Sequence, residues 1–195
     1  MNPRFSQEEL ADVRAAVDVL RRGGVILYPT DTVWGIGCDA TNEAAVRRVF
    51  EIKRRADSKA LIALVNTPAM LEHTVENVPE VAYQLIEASD RPTTIVYDHG
   101  TGVAPAMIAA DGSLAVRVTS ERISSGIIRG LGRPLVSTSA NISGAPAAAF
   151  FDEISDEIKR AVDYTCLSRR ADRSTARPSI VIKISDNGVF KILRK

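Results

Sequence analysis

Apolar side chains recur along this chain at two spacings, and the change of spacing separates the predicted helices from the predicted strands. Residues 10–20 carry apolar side chains every three or four positions, which predicts a helix with one buried face. Ser6 followed by Glu9 is a capping-box pattern that predicts where this helix begins. Gly23 with its following glycine predicts its end, and the continuous apolar run 25–28 then predicts a buried strand.

The rest of the chain alternates between the same two patterns. Strands are predicted near residues 60–65, 93–97, 114–118, 135–136 and 164–167. Helices are predicted from Thr41 or Asn42, from Thr67-Pro68, from Pro79 to Ile86, from a Ser120 cap to Leu131, and over 152–162. Two final strands, 179–184 and 189–193, flank Asn187-Gly188, a pair typical of a type I′ hairpin turn. The interleaving predicts one α/β domain over residues 1–195 with a mixed sheet.

Composition narrows the class of protein without identifying it. The chain has 195 residues, 45% hydrophobic and 25% charged, with a net charge of +1, so binding of nucleic acid would depend on a local basic patch. Cys38 and Cys166, with His73 and His99, give no zinc-ligand spacing. We predict no metal site, reduced thiols, no membrane segment and a cytoplasmic location.

Two runs of small polar side chains follow predicted strands. Residues 137–143 read Ser-Thr-Ser-Ala-Asn-Ile-Ser after Leu135-Val136, and residues 29–32 read Pro-Thr-Asp-Thr after the strand 25–28. Such runs favour turns and caps over helix interiors, so a polar loop that caps a helix is one interpretation. The other is a site for an oxygen-rich ligand at the end of the strands.

Basic side chains also bear on the hypothesis of a site for an oxygen-rich ligand. The helix that begins near Asn42 is predicted to turn Lys53 outward, and Arg54, Arg55 and Lys59 follow it. This cluster indicates an anion-binding site or, alternatively, a solvated helix end. Arg117 lies within an apolar strand, where it must face a cleft with a partner or face water at a sheet edge.

Four segments in this order resemble the threonylcarbamoyl-AMP synthase family, which is YrdC/TsaC-like. They are Pro29 to Gly37, Lys53-Arg54-Arg55 with Lys59, Ala115 to Val118, and Ser137 to Gly144. The resemblance runs from about residue 10 to the C-terminus. It implies a twisted α/β sheet, flanked by helices, with a concave basic face. It also implies a nucleotidyltransferase that makes threonylcarbamoyl-AMP and pyrophosphate from L-threonine, bicarbonate or CO2, and ATP with Mg2+, for threonylcarbamoyladenosine modification of tRNA by downstream machinery.

The resemblance assigns roles to individual residues. The signature set that implies catalysis is Lys53, Arg55, Ser139 and Asn141. The threonine-binding residues that it implies are Thr32, Arg117, Ser137 and Ser179. The nucleotide-binding residues that it implies are Arg55, Lys59, Ser113, Ser139 and Arg194. Asp31 is the acid inside these segments, and it could assist Mg2+ or carbamate formation, or form a local turn.

Several positions depart from the family pattern and bear on the substrate. Trp34 replaces a common Tyr, Arg54 a Gly, Leu64 a frequent His, and Ile180 a common Thr. The last two leave open a related carbamoyl-transfer enzyme that acts on another amino compound. A non-catalytic module for double-stranded RNA or tRNA is the other alternative, although aromatic residues at 5% are too sparse for a stacking platform. The sequence does not specify the oligomeric state.

Overall fold

A mixed sheet of nine strands runs through the described part of the chain and carries helices beside it. The computed structural model describes residues 5–55, 61–174 and 178–194. The helices are α1 (Gln7–Arg21), α2 (Glu43–Lys53), α3 (Pro68–Thr74), α4 (Glu80–Ala88), α5 (Arg122–Leu131) and α6 (Asp156–Ala161). The strands are β1 (Ile26–Tyr28), β2 (Gly35–Gly37), β3 (Ile62–Val65), β4 (Thr93–Tyr97), β5 (Leu114–Val118), β6 (Leu135–Ser139), β7 (Tyr164–Thr165), β8 (Ile180–Ile184) and β9 (Phe190–Arg194).

The order of strands across the sheet is β7-β1-β2-β6-β3-β5-β4-β8-β9. Strand β1 pairs parallel with β7, β3 with β5, and β4 with β8, while the other neighbours are antiparallel. The predicted mixed α/β sheet flanked by helices is therefore confirmed. None of the helices in the described ranges is long and apolar enough to cross a membrane.

Local sequence explains where most helices begin. Ser6 and Glu9 form the predicted capping box of α1, and the side chain of Asn42 accepts a hydrogen bond from Ala45 N at the start of α2. The predicted Ser120 cap is wrong, because Glu121 is the N-cap of α5 and its carboxylate accepts from two backbone amides. A longer carboxylate reaches the same unpaired amides that a serine hydroxyl would reach.

Three predictions about strands and their turns were wrong. Strand β2 was missed because Gly35-Ile36-Gly37 has little side-chain pattern. A Cβ at Gly37 would lie 2.0 Å from the carbonyl oxygen of Val136, so only glycine allows β2 to pair this closely with β6. In the final hairpin only Gly188 of the turn residues has a positive φ, 81°, so the predicted type I′ turn is instead a three-residue turn.

The third wrong prediction matters most for the site. Strand β6 does not stop at Val136 but continues through Ser137, Thr138 and Ser139. Two of these residues pair with β2, since Ser139 lies opposite Gly35 and Thr138 opposite Ile36. The hydroxyl run is thus held in a central strand, where backbone pairing fixes the direction of each side chain.

Candidate functional site

A cavity of about 390 Å³ lies on one face of the sheet. Its walls come from β2, β3, β4, β5, β6, β8 and β9, and from loops beside them. The residues that line it are Thr32, Val33, Gly35, Arg55, Ile62, Thr94, Val96, Ala115, Arg117, Ser137, Thr138, Ser139, Ala147, Pro178, Ser179, Val181 and Arg194.

Strand register explains why residues from distant parts of the sequence share this cavity. Ile62 on β3 lies opposite Ser137 on β6 and opposite Ala115 on β5. Thr94 on β4 lies opposite Arg117 and Val181. Residues opposite one another point to the same face of a sheet, so these side chains form one continuous surface.

Arginine side chains make this surface basic. Arg55, Arg117 and Arg194 line the cavity, and none of the described residues that line it is an acid. Burial lowers the pKa of Arg55. A guanidinium group is nevertheless charged in proteins at neutral pH. Three fixed positive charges in a cavity that partly excludes water favour an anionic ligand.

Arg117 faces the cavity rather than water at a sheet edge. Its strand β5 lies between β3 and β4, and its side chain is 3% exposed. Its Nη2 forms an ion pair with Oδ1 of Asp31 at 2.9 Å, and neither that oxygen nor Arg117 Nε has a hydrogen-bond partner. A buried guanidinium with unused donors beside a cavity is available for a ligand with planar oxygen atoms.

Asp31 is the counter-charge of that arginine. Burial raises the pKa of its carboxyl, and the nearby Arg117 charge partly offsets this. Sequence reasoning noted Asp31 but could not assign its partner, because Asp31 and Arg117 lie on separate segments that only the fold brings together. The arrangement keeps Arg117 charge-balanced in the absence of a ligand.

Lys53 does not face the cavity, and the prediction that it points outward is wrong. The residue is 1% exposed, and its Nζ donates hydrogen bonds to the carbonyl oxygens of Ser139 at 2.5 Å and Asn141 at 2.7 Å. Its own carbonyl oxygen accepts from Ser143 N. The last residue of α2 therefore anchors the loop that follows β6, and burial together with the nearby Arg55 charge lowers the pKa of Lys53 to about 8.

This lowered pKa gives a prediction for stability against pH. An unfolded lysine has a pKa near 10.5, so between pH 8 and that value the unfolded chain binds more protons than the folded chain. Stability should rise with pH through this window as the folded ammonium loses its proton. We expect the free energy of unfolding to increase by about 1–3 kcal/mol relative to Lys53→Met between about pH 8 and about pH 10. Urea unfolding of both proteins measures it, and a constant difference would contradict it.

The hydroxyl run divides between two cavities. Ser137, Thr138 and Ser139 line the cavity on the sheet, and Thr138 Oγ1 accepts a hydrogen bond from Arg55 Nη1 at 3.4 Å. Asn141 instead lines a second cavity of about 380 Å³ beside Ala147, which both cavities share. Its Nδ2 donates to the carbonyl oxygens of Ile142 and Ala145, so the amide braces the loop.

Seven of the residues assigned by the resemblance line the same cavity: Thr32, Arg55, Arg117, Ser137, Ser139, Ser179 and Arg194. Lys53 and Asn141 lie behind and beside it, as described above. Ser113 is buried one residue before β5, and its hydroxyl donates to Asp111 at 2.6 Å instead of lining the cavity. Lys59 lies outside the described residues. The functional roles of all eleven residues stay predictions.

Sequence reasoning missed Thr94, which lines the cavity, and Arg169, which contacts the segment before Thr32. Thr94 lines the cavity and donates a hydrogen bond to Ser179, and its hydroxyl position in an apolar strand was the available signal. Arg169, from a segment interpreted as a charged loop, donates to the carbonyl oxygen of Thr30 at 2.9 Å and forms ion pairs with Glu121 and Asp172. It adopts a φ of 61°, which is unfavourable outside glycine, and so these contacts hold it against local strain.

The departures from the family pattern have clear positions. Leu64 is fully buried opposite Arg117 and does not line the cavity, while Ile180 lies next to Ser179 at the start of β8. Trp34 packs against Phe151 with ring centroids 4.8 Å apart. Arg54 ends α2 with a φ of 50°, a conformation that glycine adopts without strain.

Comparisons with known proteins agree on one family. The Sua5/YciO/YrdC family, described as "Telomere recombination", matches residues 18–195. The threonylcarbamoyl-AMP synthase of Stenotrophomonas maltophilia is 36% identical over 152 residues, which cover 76% of this chain and 82% of that protein. The threonylcarbamoyl-AMP synthase of Idiomarina loihiensis is 30% identical over 185 residues, which cover 93% and 98% respectively.

Solved structures give the same fold. Escherichia coli YciO superposes with a TM-score of 0.82 at 25% identity, covering 99% of this chain and 92% of that one. Sua5 of P. abyssi in complex with L-threonine superposes with a TM-score of 0.80 at 28% identity. The match covers 93% of this chain and 52% of that one, so the chain spans about half the length of that Sua5.

Proposed function

Because this chain belongs to the Sua5/YciO/YrdC family, we propose that it is a threonylcarbamoyl-AMP synthase whose substrates meet in the cavity on the sheet. The reaction converts L-threonine, bicarbonate or CO2, and ATP into threonylcarbamoyl-AMP and pyrophosphate. Relatives that carry this name support the activity, and Sua5 in complex with L-threonine supports the amino acid.

The single observation that carries the proposal is the set of arginines in one cavity. Arg117 is buried in the sheet with unused donors, which suits the carboxylate of threonine. Arg55 lies beside the hydroxyls of Thr138 and Ser139, which suits a phosphate chain. A carboxylate site and a phosphate site within one cavity are what joining an amino acid to a nucleotide requires.

The chain's contribution would be position and charge. Threonine's neutral amine takes up CO2 and releases a proton to solvent, which gives a carbamate. A carbamate oxygen then attacks the α-phosphorus of ATP as the bond from that phosphorus to the oxygen shared with the β-phosphate breaks and pyrophosphate leaves. Negative charge grows on the phosphate oxygens, and fixed guanidinium groups stabilise it. Lys53 acts as a positioning residue in this scheme, since its Nζ holds the carbonyls of Ser139 and Asn141 and not the ligand.

Mg2+ would reach the site with ATP. The residues present do not fit a Mg2+ held by the protein. Arginine and hydroxyl side chains line the cavity, whereas Mg2+ prefers carboxylate ligands. No group of three or more His, Cys, Asp and Glu side chains in the described parts of the chain could hold a metal ion. We therefore assign Mg2+ to the phosphate oxygens of ATP.

The remaining parts of the function are proposals of the same kind. We propose that the product passes to the machinery that modifies tRNA, and that bicarbonate or CO2 supplies the carbamate carbon. We also propose a cytoplasmic location, which the two buried free cysteines support. A non-catalytic RNA-binding module is the weaker interpretation, because the relatives carry the name of an enzyme.

A pyrophosphate-release assay tests the proposal. The purified protein is given ATP, Mg2+ and bicarbonate with each of a panel of amino acids, and with none. We expect release that depends on L-threonine and on bicarbonate. Selective release with another amino compound would instead support a related carbamoyl-transfer enzyme, and no release with any amino acid would contradict an enzyme of this class.

Ser139 at the end of β6 and Asn141 in the loop after it should respond differently to alanine. Ser139 lines the cavity, so Ser139→Ala should leave the melting temperature of the free protein unchanged and reduce its increase with ATP. Asn141 braces the loop with two hydrogen bonds, so Asn141→Ala should cost about 1–2 kcal/mol in the free protein. Thermal melting with and without ATP measures both. Equal responses of the two variants would contradict this division.

A further inference from the structure

Thr94 is buried in the wall of the cavity, and its hydroxyl makes a bond that strand pairing does not need. The residue is 1% exposed and lies opposite Arg117 in the register of β4 and β5. Its Oγ1 donates to Ser179 Oγ at 2.9 Å. Strands β4 and β8 already pair through their backbones from Thr93 to Tyr97, so this bond has another consequence.

The bond from Thr94 limits which hydrogen bonds the hydroxyl of Ser179 can still make. Ser179 Oγ also accepts from Arg194 Nη2 at 3.2 Å, while Arg194 Nε and Nη2 both donate to the carbonyl oxygen of Ser179. A serine hydroxyl accepts at two lone pairs and donates one proton. Since Thr94 and Arg194 occupy both lone pairs, Ser179 retains only its O–H donor, and Ser179 lines the cavity.

We infer that Thr94 is a positioning residue for the amino acid substrate, because it fixes Ser179 as a hydrogen-bond donor into the cavity. The ligand atom that accepts this bond is an oxygen of the substrate carboxylate, since Thr94 lies opposite Arg117 in the strand register and Thr94, Ser179 and Arg117 line the same cavity. Two donors that face one cavity match the two oxygens of one carboxylate. The inference rests on the proposed function, and it adds a residue to which neither the resemblance nor the relatives assign a role.

The experiment compares Thr94→Val with Thr93→Val in the pyrophosphate-release assay. Thr93 is also buried but lies on the opposite face, and its hydroxyl donates to the carbonyl oxygen of Arg91 at 3.1 Å and lies 2.9 Å from Ser89 Oγ. Both variants lose a buried hydroxyl. We expect Thr94→Val to raise the KM for L-threonine about three- to tenfold, the usual range for one hydrogen bond, with kcat and the KM for ATP little changed.

Three further variants separate a positioning role of Thr94 from a general loss of structure. Thr94→Ser keeps the hydroxyl and should restore the KM for L-threonine, whereas Thr93→Val should leave it unchanged. Ser179→Ala should raise the same KM, and the double variant with Thr94→Val should match Ser179→Ala alone, because Thr94 acts through Ser179. If Thr94→Val proves unstable, Thr94→Ala can replace it in the same comparison of single and double variants, which still tests whether Thr94 acts through Ser179.

The outcomes have distinct meanings. If the unmodified protein releases pyrophosphate with threonine but Thr94→Val has an unchanged KM, the inference is overturned and the proposed function stands. An equal rise in Thr93→Val, or independent effects of Thr94 and Ser179, also overturns it. If the unmodified protein shows no release with threonine, the proposed function and the inference fall together.

Discussion

Arg117→Gln should raise the KM for L-threonine by about 100-fold or more, with a smaller effect on the KM for ATP. Removing one member of a buried, hydrogen-bonded charge pair at a binding site costs about 2–5 kcal/mol, which spans about 30-fold to several thousand-fold in affinity. In the proposed complex that pair is Arg117 with the carboxylate of threonine. Arg117 meets the conditions for such an effect because it is 3% exposed and lines the cavity with an unpaired Nε. Steady-state pyrophosphate release with threonine and ATP varied in turn measures both constants.

The ion pair with Asp31 complicates this variant and also supplies its control. Arg117→Gln leaves the Asp31 carboxylate buried without its counter-charge, so the single variant should also be less stable. The double variant with Asp31→Asn removes both charges and should recover part of that stability while leaving the threonine KM high. A double variant that also recovers threonine binding would show that the loss came from folding. An unchanged threonine KM with an altered ATP KM would reassign Arg117 to the nucleotide.

Arg55→Met should lower kcat/KM for ATP by about 100- to 1,000-fold, in line with the loss of one charge-stabilising donor in an active site. Arg55 lines the cavity beside Thr138, and phosphate oxygens gain charge during the transfer. The stability of the free protein should change little in comparison, because the side chain is only partly buried. Pyrophosphate release at varied ATP and a parallel thermal melt measure the two effects.

Arg54 is the matched control for this prediction. It precedes Arg55 in sequence but is 69% exposed and forms an ion pair with Glu157 at 2.6 Å, away from the residues that line the cavity. Methionine leaves the strained φ of 50° as it is, because it is no more tolerant of that conformation than arginine. Arg54→Met should therefore keep kcat/KM within about twofold. Similar losses in both variants would indicate a general requirement for positive charge near the cavity.

Lys53 shows why a charge in a motif does not reveal what it contacts. The helical pattern placed Lys53 on the outward side of α2, and the resemblance placed it in the signature set. In the structure the loop after β6 covers the end of α2, so the ammonium binds two carbonyl oxygens of that loop. A buried lysine with such partners can still be essential for activity, through the loop that it holds.

Local patterns did determine much of this protein. The caps at Ser6, Asn42 and Thr67 define helix starts because each side chain bonds an amide within three residues. Apolar runs identified eight of the nine strands in the described part of the chain, and their alternation with helices indicated the mixed sheet. The motifs identified the family, since Pro29 to Gly37 and Ser137 to Gly144 are unusual combinations of residues. These features depend on neighbours in sequence and so can be read from it.

The tertiary structure decided which of those residues share a site. Thr94, Arg117 and Arg194 come from three strands and Ser179 is the residue before β8, and only the register of β4, β5, β8 and β9 brings them to one face. The pairing of Asp31 with Arg117 and the burial of Lys53 depend in the same way on contacts between distant segments. A one-residue shift in any of these strands would turn its side chains to the other face, and nothing local specifies that register. The sequence therefore determined the elements and the family, while packing of the strands determined the cavity and the partner of each charge within it.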